Sequence, residues 1–136
     1  MATPRIRMSK DDRNRIAHDV APLAYTIDAS GRTLGRVASE AAQSLLGKRS
    51  PKFVKNKVLP VQVQIINVKK LSISENRIAG KEYSRFTGYP GGFRITSLQA
   101  LIDKKGIGEA MRKAVDGMLP RNSLRKERMK RLTIID

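Results

Sequence analysis

Tyr25-Thr-Ile-Asp-Ala-Ser-Gly-Arg-Thr-Leu-Gly-Arg-Val-Ala-Ser-Glu-Ala-Ala-Gln-Ser-Leu-Leu-Gly47 decides the fold, because its hydrophobic period changes within a few residues. Tyr25 to Ala29 is a short β-rich run, ended by the turn signal Ser30-Gly31. Beyond it Leu34, Val37, Ala38, Ala41, Ala42, Leu45 and Leu46 fall at i, i+3, i+4, i+7, i+8, i+11 and i+12, one continuous apolar stripe of a helix. Thr33 stands where an N-cap belongs and Gly47 is a natural stop. The small alanines suit close packing on a sheet.

Working outward, Val61, Val63 and Ile65 alternate with Gln62 and Gln64, and Ile66-Asn-Val68 runs on nearly without a polar break, as in a strand entering the core. Lys69-Lys70 reads as a turn, Leu71-Ser-Ile-Ser74 as the returning strand of a hairpin, and Ser74 to Lys81 as a polar loop. Thr96 and Gln99 fit a capping box, and Leu98, Leu101 and Ile102 start an apolar face that breaks at Lys104-Lys-Gly106. Ile107, Ala110, Met111, Ala114, Val115 and Met118 then recur at helical spacing until Pro120, the methionines reading as core filler. Arg121 to Arg131 carries six basic residues and one acid, on a helix expected to begin at Asn122 or Ser123, before Leu132-Thr-Ile-Ile135 closes as a strand.

The chain has 136 residues, 40% of them hydrophobic, which suits one compact domain. Residues 1–24 mix Arg5, Arg7, Lys10, Arg13 and Arg15 with Asp11, Asp12 and Asp19 and show no clean periodicity, although Ile6 to Val20 is compatible with helix in part. They read as a basic N-terminal arm, leaving residues 25–136 as the domain. The arm has no apolar h-region, so it is not a secretory signal, and a cytosolic protein is expected. With 28 Lys and Arg against 12 Asp and Glu the net charge is +16, an excess that repels itself unless a polyanion neutralises it. Nucleic acid is the first candidate. A membrane surface is disfavoured, since no apolar run approaches the ~18 residues of a spanning helix. The absence of cysteine excludes disulfides and thiolate sites, and His18 is the one imidazole, so neither metal nor another cofactor is expected.

Two stretches carry the binding chemistry. Tyr83-Ser-Arg-Phe-Thr-Gly-Tyr-Pro-Gly-Gly92 reads as a shaped loop: Gly88, Gly91 and Gly92 remove bulk, Pro90 stiffens the turn, and freed N–H groups can approach phosphate. Arg85 and Arg94 flank it, while Tyr83, Phe86 and Tyr89 are available either to stack on bases or to cap the core. Lys48-Arg-Ser-Pro-Lys-Phe-Val-Lys-Asn-Lys57 has five positive charges and no acid, and reads as a phosphate-contacting loop rather than a solvated face. Gly35 and Arg36, near the start of the first helix, can present N–H groups and a guanidinium to phosphate, with structure the leading role of Gly35.

In this order and spacing, Ile27-Asp-Ala29, Gly31 to Ser39, Thr87 to Gly92, Lys113-Ala-Val-Asp-Gly-Met-Leu-Pro-Arg-Asn122 and Met129-Lys-Arg-Leu132 resemble the bacterial-type large-ribosomal-subunit protein of the L-thirteen family. The match covers about residues 25 to 135. It departs at Phe86, where histidine often precedes the Thr-Gly, and at Val58-Leu-Pro-Val-Gln62, which replaces an acidic-glycine approach to the second strand. The resemblance implies a three-layer α/β/α domain around a small, mainly parallel four-stranded sheet, in agreement with the strand, helix, strand opening. It also implies a non-catalytic, ribosome-bound role in the cytoplasm, with large-subunit rRNA and neighbouring ribosomal proteins as partners and no small-molecule substrate. On charge, loop chemistry and resemblance together, the expected RNA-binding residues are Arg36, Lys48, Arg49, Lys52, Lys55, Arg85, Thr87, Gly88, Tyr89, Gly91, Gly92, Arg94, Lys113, Arg121, Asn122, Arg125 and Lys130.

The alternative from another class is a nucleotide-using or phosphoryl-transfer enzyme with Thr87 to Gly92 as its phosphate cradle. It lacks the chemistry: there is no G-x-x-x-x-G-K-S/T, and Asp28, Glu40, Glu75, Glu82, Asp103, Glu109 and Asp116 are scattered singly. A free DNA-binding regulator needs a recognition helix, which only the basic C-terminal segment imitates.

Overall fold

The computed structural model describes residues 23–135; the expected arm up to residue 22, with any helix between Ile6 and Val20, lies outside them. The chain runs through β1 (Leu23–Asp28), α1 (Leu34–Leu46), β2 (Val61–Ile66), a 3₁₀ turn (Val68–Lys70), α2 (Glu75–Gly80), β3 (Glu82–Phe86), β4 (Phe93–Ser97), α3 (Leu98–Lys105), α4 (Ile107–Met118), α5 (Arg125–Met129) and β5 (Leu132–Ile134). β1 thus begins at Leu23, two residues before the expected strand.

α1 follows its stripe closely. Val37, Ala38, Ala41, Ala42 and Leu45 are buried, as is Ser44, whose hydroxyl donates to Glu40 O at 2.9 Å. Thr33 holds the N-cap position with extended φ and ψ, but its hydroxyl caps nothing. At the other end Gly47 turns left-handed at φ 81°, and the N–H groups of Gly47 and Lys48 reach Ser44 O and Gln43 O at 2.9 and 3.1 Å. That is the Schellman arrangement. A Cβ on Gly47 would lie 2.6 Å from Leu59 Cδ1, the movable end of that side chain, so it is the left-handed backbone that calls for glycine there.

β1, β2 and β5 form a parallel sheet in the order β1-β2-β5, with Tyr25 beside Val63 and Val63 beside Leu132. Ile27, Val61, Val63, Ile65 and Leu132 of the inner face pack with the α1 stripe and with Met111 and Val115 of α4. A second, smaller core of Leu98, Leu101 and Ala110 is covered by Ile73, Ile78 and Tyr83. α4 therefore serves both cores, through neighbouring faces.

The expected four-stranded sheet is not what forms. The sheet has three parallel strands, and β3 and β4 make a separate antiparallel pair. The expected hairpin return, Leu71 to Ser74, never pairs with β2. Asn67 enters the left-handed region at φ 59°, held by its amide to Asp28 Oδ1 at 3.1 Å, and starts the 3₁₀ turn. The chain then passes the end of β1, where Ser72 makes a lone parallel bridge to Thr33. The supposed loop from Ser74 to Lys81 contains α2, which has no buried residue and so no stripe to read. Nor do the described residues supply a third layer: Ala24, Thr26, Gln62 and Thr133, on the other face of the sheet, are exposed.

Helix boundaries differ by small steps. Thr96 lies in β4, and Ser97 is the cap of α3, its hydroxyl accepting the Ala100 N–H at 3.2 Å. α3 ends and α4 begins around Gly106, as the sequence implies. α5 starts at Arg125 with no side-chain cap, so neither Asn122 nor Ser123 caps it. Among the described residues no helix is long and apolar enough to cross a membrane.

Candidate nucleic-acid interface

The stretch opening at Tyr83 is half strand and half turn. Tyr83 to Phe86 belongs to β3, and only Thr87 to Gly92 forms the tip of the β3–β4 hairpin. Gly92 N–H returns to Tyr89 O at 2.9 Å, with Pro90 second and Gly91, at φ 74°, third in the turn. Proline there and a positive-φ glycine after it are the requirements of a type II turn. Thr87 N–H to Gly92 O at 3.2 Å closes the tip. A Cβ at Gly92 would lie 1.9 Å from Thr87 Oγ1, whereas one at Gly88 or Gly91 would meet nothing within 4 Å.

Across the hairpin Arg85 faces Arg94, and Phe86 faces Phe93. Alternation along the strands sends these pairs to opposite faces. Arg85 and Arg94 share a face with Tyr83, while Phe86 and Phe93 share theirs with Ile95. Of the three aromatics named from the sequence, one caps a core and two are exposed. Tyr83 packs on the second core, but Phe86 is 65%, Phe93 59% and Tyr89 77% exposed. Directly opposed like charges destabilise a strand pair, and neither arginine has an acidic partner among the described residues. An anion between them would relieve that cost.

Below the hairpin, Lys113 Nζ lies 4.6 Å and Lys81 Nζ 5.3 Å from the centre of the Tyr83 ring. Burial pushes the Tyr83 phenol up, Arg77 opposing it weakly, so it stays a neutral hydrogen-bonding group. Arg77, Lys81 and Phe93 were not among the expected contacts. Phe93, an aromatic directly after the glycines, was a readable signal. Arg77 and Lys81 were hidden by reading their segment as loop.

A second basic region lies at the other end of α1, about 20 Å away at 1.5 Å per residue. Lys48, Lys52 and Lys55 are exposed in the loop after Gly47. Arg49 differs: it pairs with Glu40 at 2.6 Å and its guanidinium lies 5.4 Å from the Tyr25 ring centre. Arg32, at 2.7 Å, and Arg49 hold the Glu40 carboxyl below the usual glutamate range. Arg131 donates to Leu59 O, tying the C-terminal segment to the end of this loop.

In that segment Arg121, Asn122 and Lys130 are exposed, but Arg125 pairs with Asp116 at 3.3 Å. Arg128 is only 2% exposed, and its Nε has no hydrogen-bond partner among the described residues. The run is therefore not a uniform solvated patch. Arg36 is exposed in the first turn of α1.

The profile of the family described as Ribosomal protein L13 matches residues 23–136. The chain is similar to the large ribosomal subunit protein uL13 of Moorella thermoacetica, with 43% identity over 117 residues, 86% of this chain and 81% of that protein. It is 40% identical to that of Dehalococcoides mccartyi over 120 residues, 88% of this chain and 83% of that protein. The uL13 of Burkholderia vietnamiensis is 40% identical over 118 residues, 87% and 82% of the two chains. Similarity of this extent spans both cores, the glycine hairpin and the basic loops at once, and the chain belongs to the ribosomal protein L13 family.

Proposed function

We propose that this chain grips large-subunit rRNA at two basic regions, one at each end of α1, and so fixes the relative position of the RNA segments they touch. Family membership makes it a structural constituent of the large ribosomal subunit and not an enzyme. One region is the β3–β4 hairpin, with Arg85 and Arg94 toward phosphate and Phe86, Tyr89 and Phe93 toward unstacked bases or riboses. The other is the loop bearing Lys48, Lys52 and Lys55, to whose end Arg131 ties the segment that carries Lys130. Arg49 and Arg125 serve the fold first, through their carboxylate partners. Neighbouring ribosomal proteins complete the surroundings in the cytoplasmic ribosome.

The opposed Arg85 and Arg94 carry this reading, since exposed aromatics alone would suit a protein partner equally well. The test is the salt dependence of affinity for large-subunit rRNA with Arg85→Gln and Arg94→Gln together. Each lost phosphate contact lowers the log–log slope by about 0.7–0.9, so a decrease of about 1.4–1.8 is expected for the two. An unchanged slope would remove the hairpin from the interface.

A further inference from the structure

A cavity of about 320 Å³ lies where α1, α2, β3, α3 and α4 meet, at the small end of the ~300–1,000 Å³ range of ligand sites. Its apolar wall is Leu34, Leu98 and Met118, and its cations are Arg77, Lys81 and Lys113. No acid lines it, and none of the three cations has an ion-pair partner among the described residues.

Two helical glycines also line it. Gly35 lies in the first turn of α1 and Gly117 in the last turn of α4, where alanine would be the better helix former. Neither has positive φ. A Cβ on Gly117 would meet nothing within 4 Å, and one on Gly35 only Arg77 Nη1 at 3.9 Å. Packing within the chain therefore requires neither glycine, although it does restrict Gly92. Both clear space in the same cavity.

We infer that this cavity receives one unstacked nucleotide of the rRNA, its base against Leu34, Leu98 and Met118 and its phosphate among Arg77, Lys81 and Lys113. The inference rests on the rRNA-binding reading above, but not on the hairpin tip or the 48–57 loop. A flat apolar ring joined to an anion matches an apolar wall beside a cationic rim, and the bare glycine faces admit the ring edge and sugar. Tyr83 holds the rim in position through its ring contacts with Lys81 and Lys113.

The test uses the full chain bound to large-subunit rRNA, with base-specific chemical footprinting and affinity as readouts. Gly117→Leu fills the cavity. It should melt at or above the wild-type temperature, since leucine is the better helix former. It should also lose one discrete base protection and bind about tenfold more weakly, in the range of one lost base contact. Unchanged footprint and affinity in the folded variant overturn the inference. Should Gly117→Leu misfold, Arg77→Gln with Lys113→Gln at the surface must remove the same protection, and its retention overturns the inference. Saturating free mononucleotide should leave the protection intact; its erasure would assign the cavity to a free nucleotide and overturn it likewise. If the wild-type chain protected no rRNA at all, the broader binding reading would fail instead.

Discussion

Gly91 and Gly92 are neighbours constrained by different physics. At Gly91 there is room for a side chain, but φ is 74°, a region that β-branched residues avoid. Gly91→Val should therefore leave the domain folded by circular dichroism while lowering the share of tagged protein found in purified large subunits. Equal incorporation would make the tip a mere turn, and loss of fold would assign Gly91 to the core. Gly92 lacks the room instead, because Thr87 occupies it. Glu40 carries a different residue-scale consequence. Its depressed pKa means that its stabilising contribution is present above the unfolded-state value and lost as pH falls through the folded one. Glu40→Gln should lower Tm at pH 7 by about 2–4 °C. The gap from wild type should narrow below about pH 4, as followed by calorimetry. A gap independent of pH would mean that Arg32 and Arg49 do not act through that carboxylate.

Among the elements, α1 was readable because seven apolar positions and a stop glycine lie within fourteen residues of local sequence. Ala41 is fully buried on its stripe, so Ala41→Lys should cost on the order of several kcal/mol and collapse the cooperative melting transition. Wild-type melting would refute the register. In the segment Leu71 to Ser74 the alternating apolar residues were readable but the pairing was not, because Leu71 packs on the first core and Ile73 on the second while the backbone bridges to Thr33 and not to β2. α2 escaped because Ile78 is the one hydrophobic residue it packs on the second core, too little for a stripe, and the cap of α3 was misplaced by one residue because Thr96 and Ser97 both offer a hydroxyl. The loop after α1 was legible as charge but not as pairing. Replacing Lys48, Lys52 and Lys55 with Gln should reduce the salt slope of rRNA binding by about 2–3, whereas Arg49→Gln should mainly lower Tm. A triple variant with the wild-type slope would show that the loop is only solvated.

For the whole molecule, a charge of +16 opposes compaction, so the free protein should melt at higher temperature as salt is raised, by differential scanning fluorimetry. A Tm indifferent to salt would mean that the charges are already locally balanced. Function was legible at this scale because charge excess and the family's spaced motifs survive any error in strand pairing. The cavity was not, because it is assembled from five elements whose meeting no local pattern records. The strand order β1-β2-β5 has a further effect, one of timing. During synthesis β1, α1 and β2 are made well before β5, with roughly 65 residues between Ile66 and Leu132. At about 5–20 residues per second that gap lasts on the order of 3–13 s. Throughout it β2 is an unpaired edge bearing Val61, Val63 and Ile65, the kind of strand that recruits other chains. Each new copy thus spends seconds with its most apolar strand one neighbour short, and the density of nascent chains around it governs how many are lost before the ladder closes.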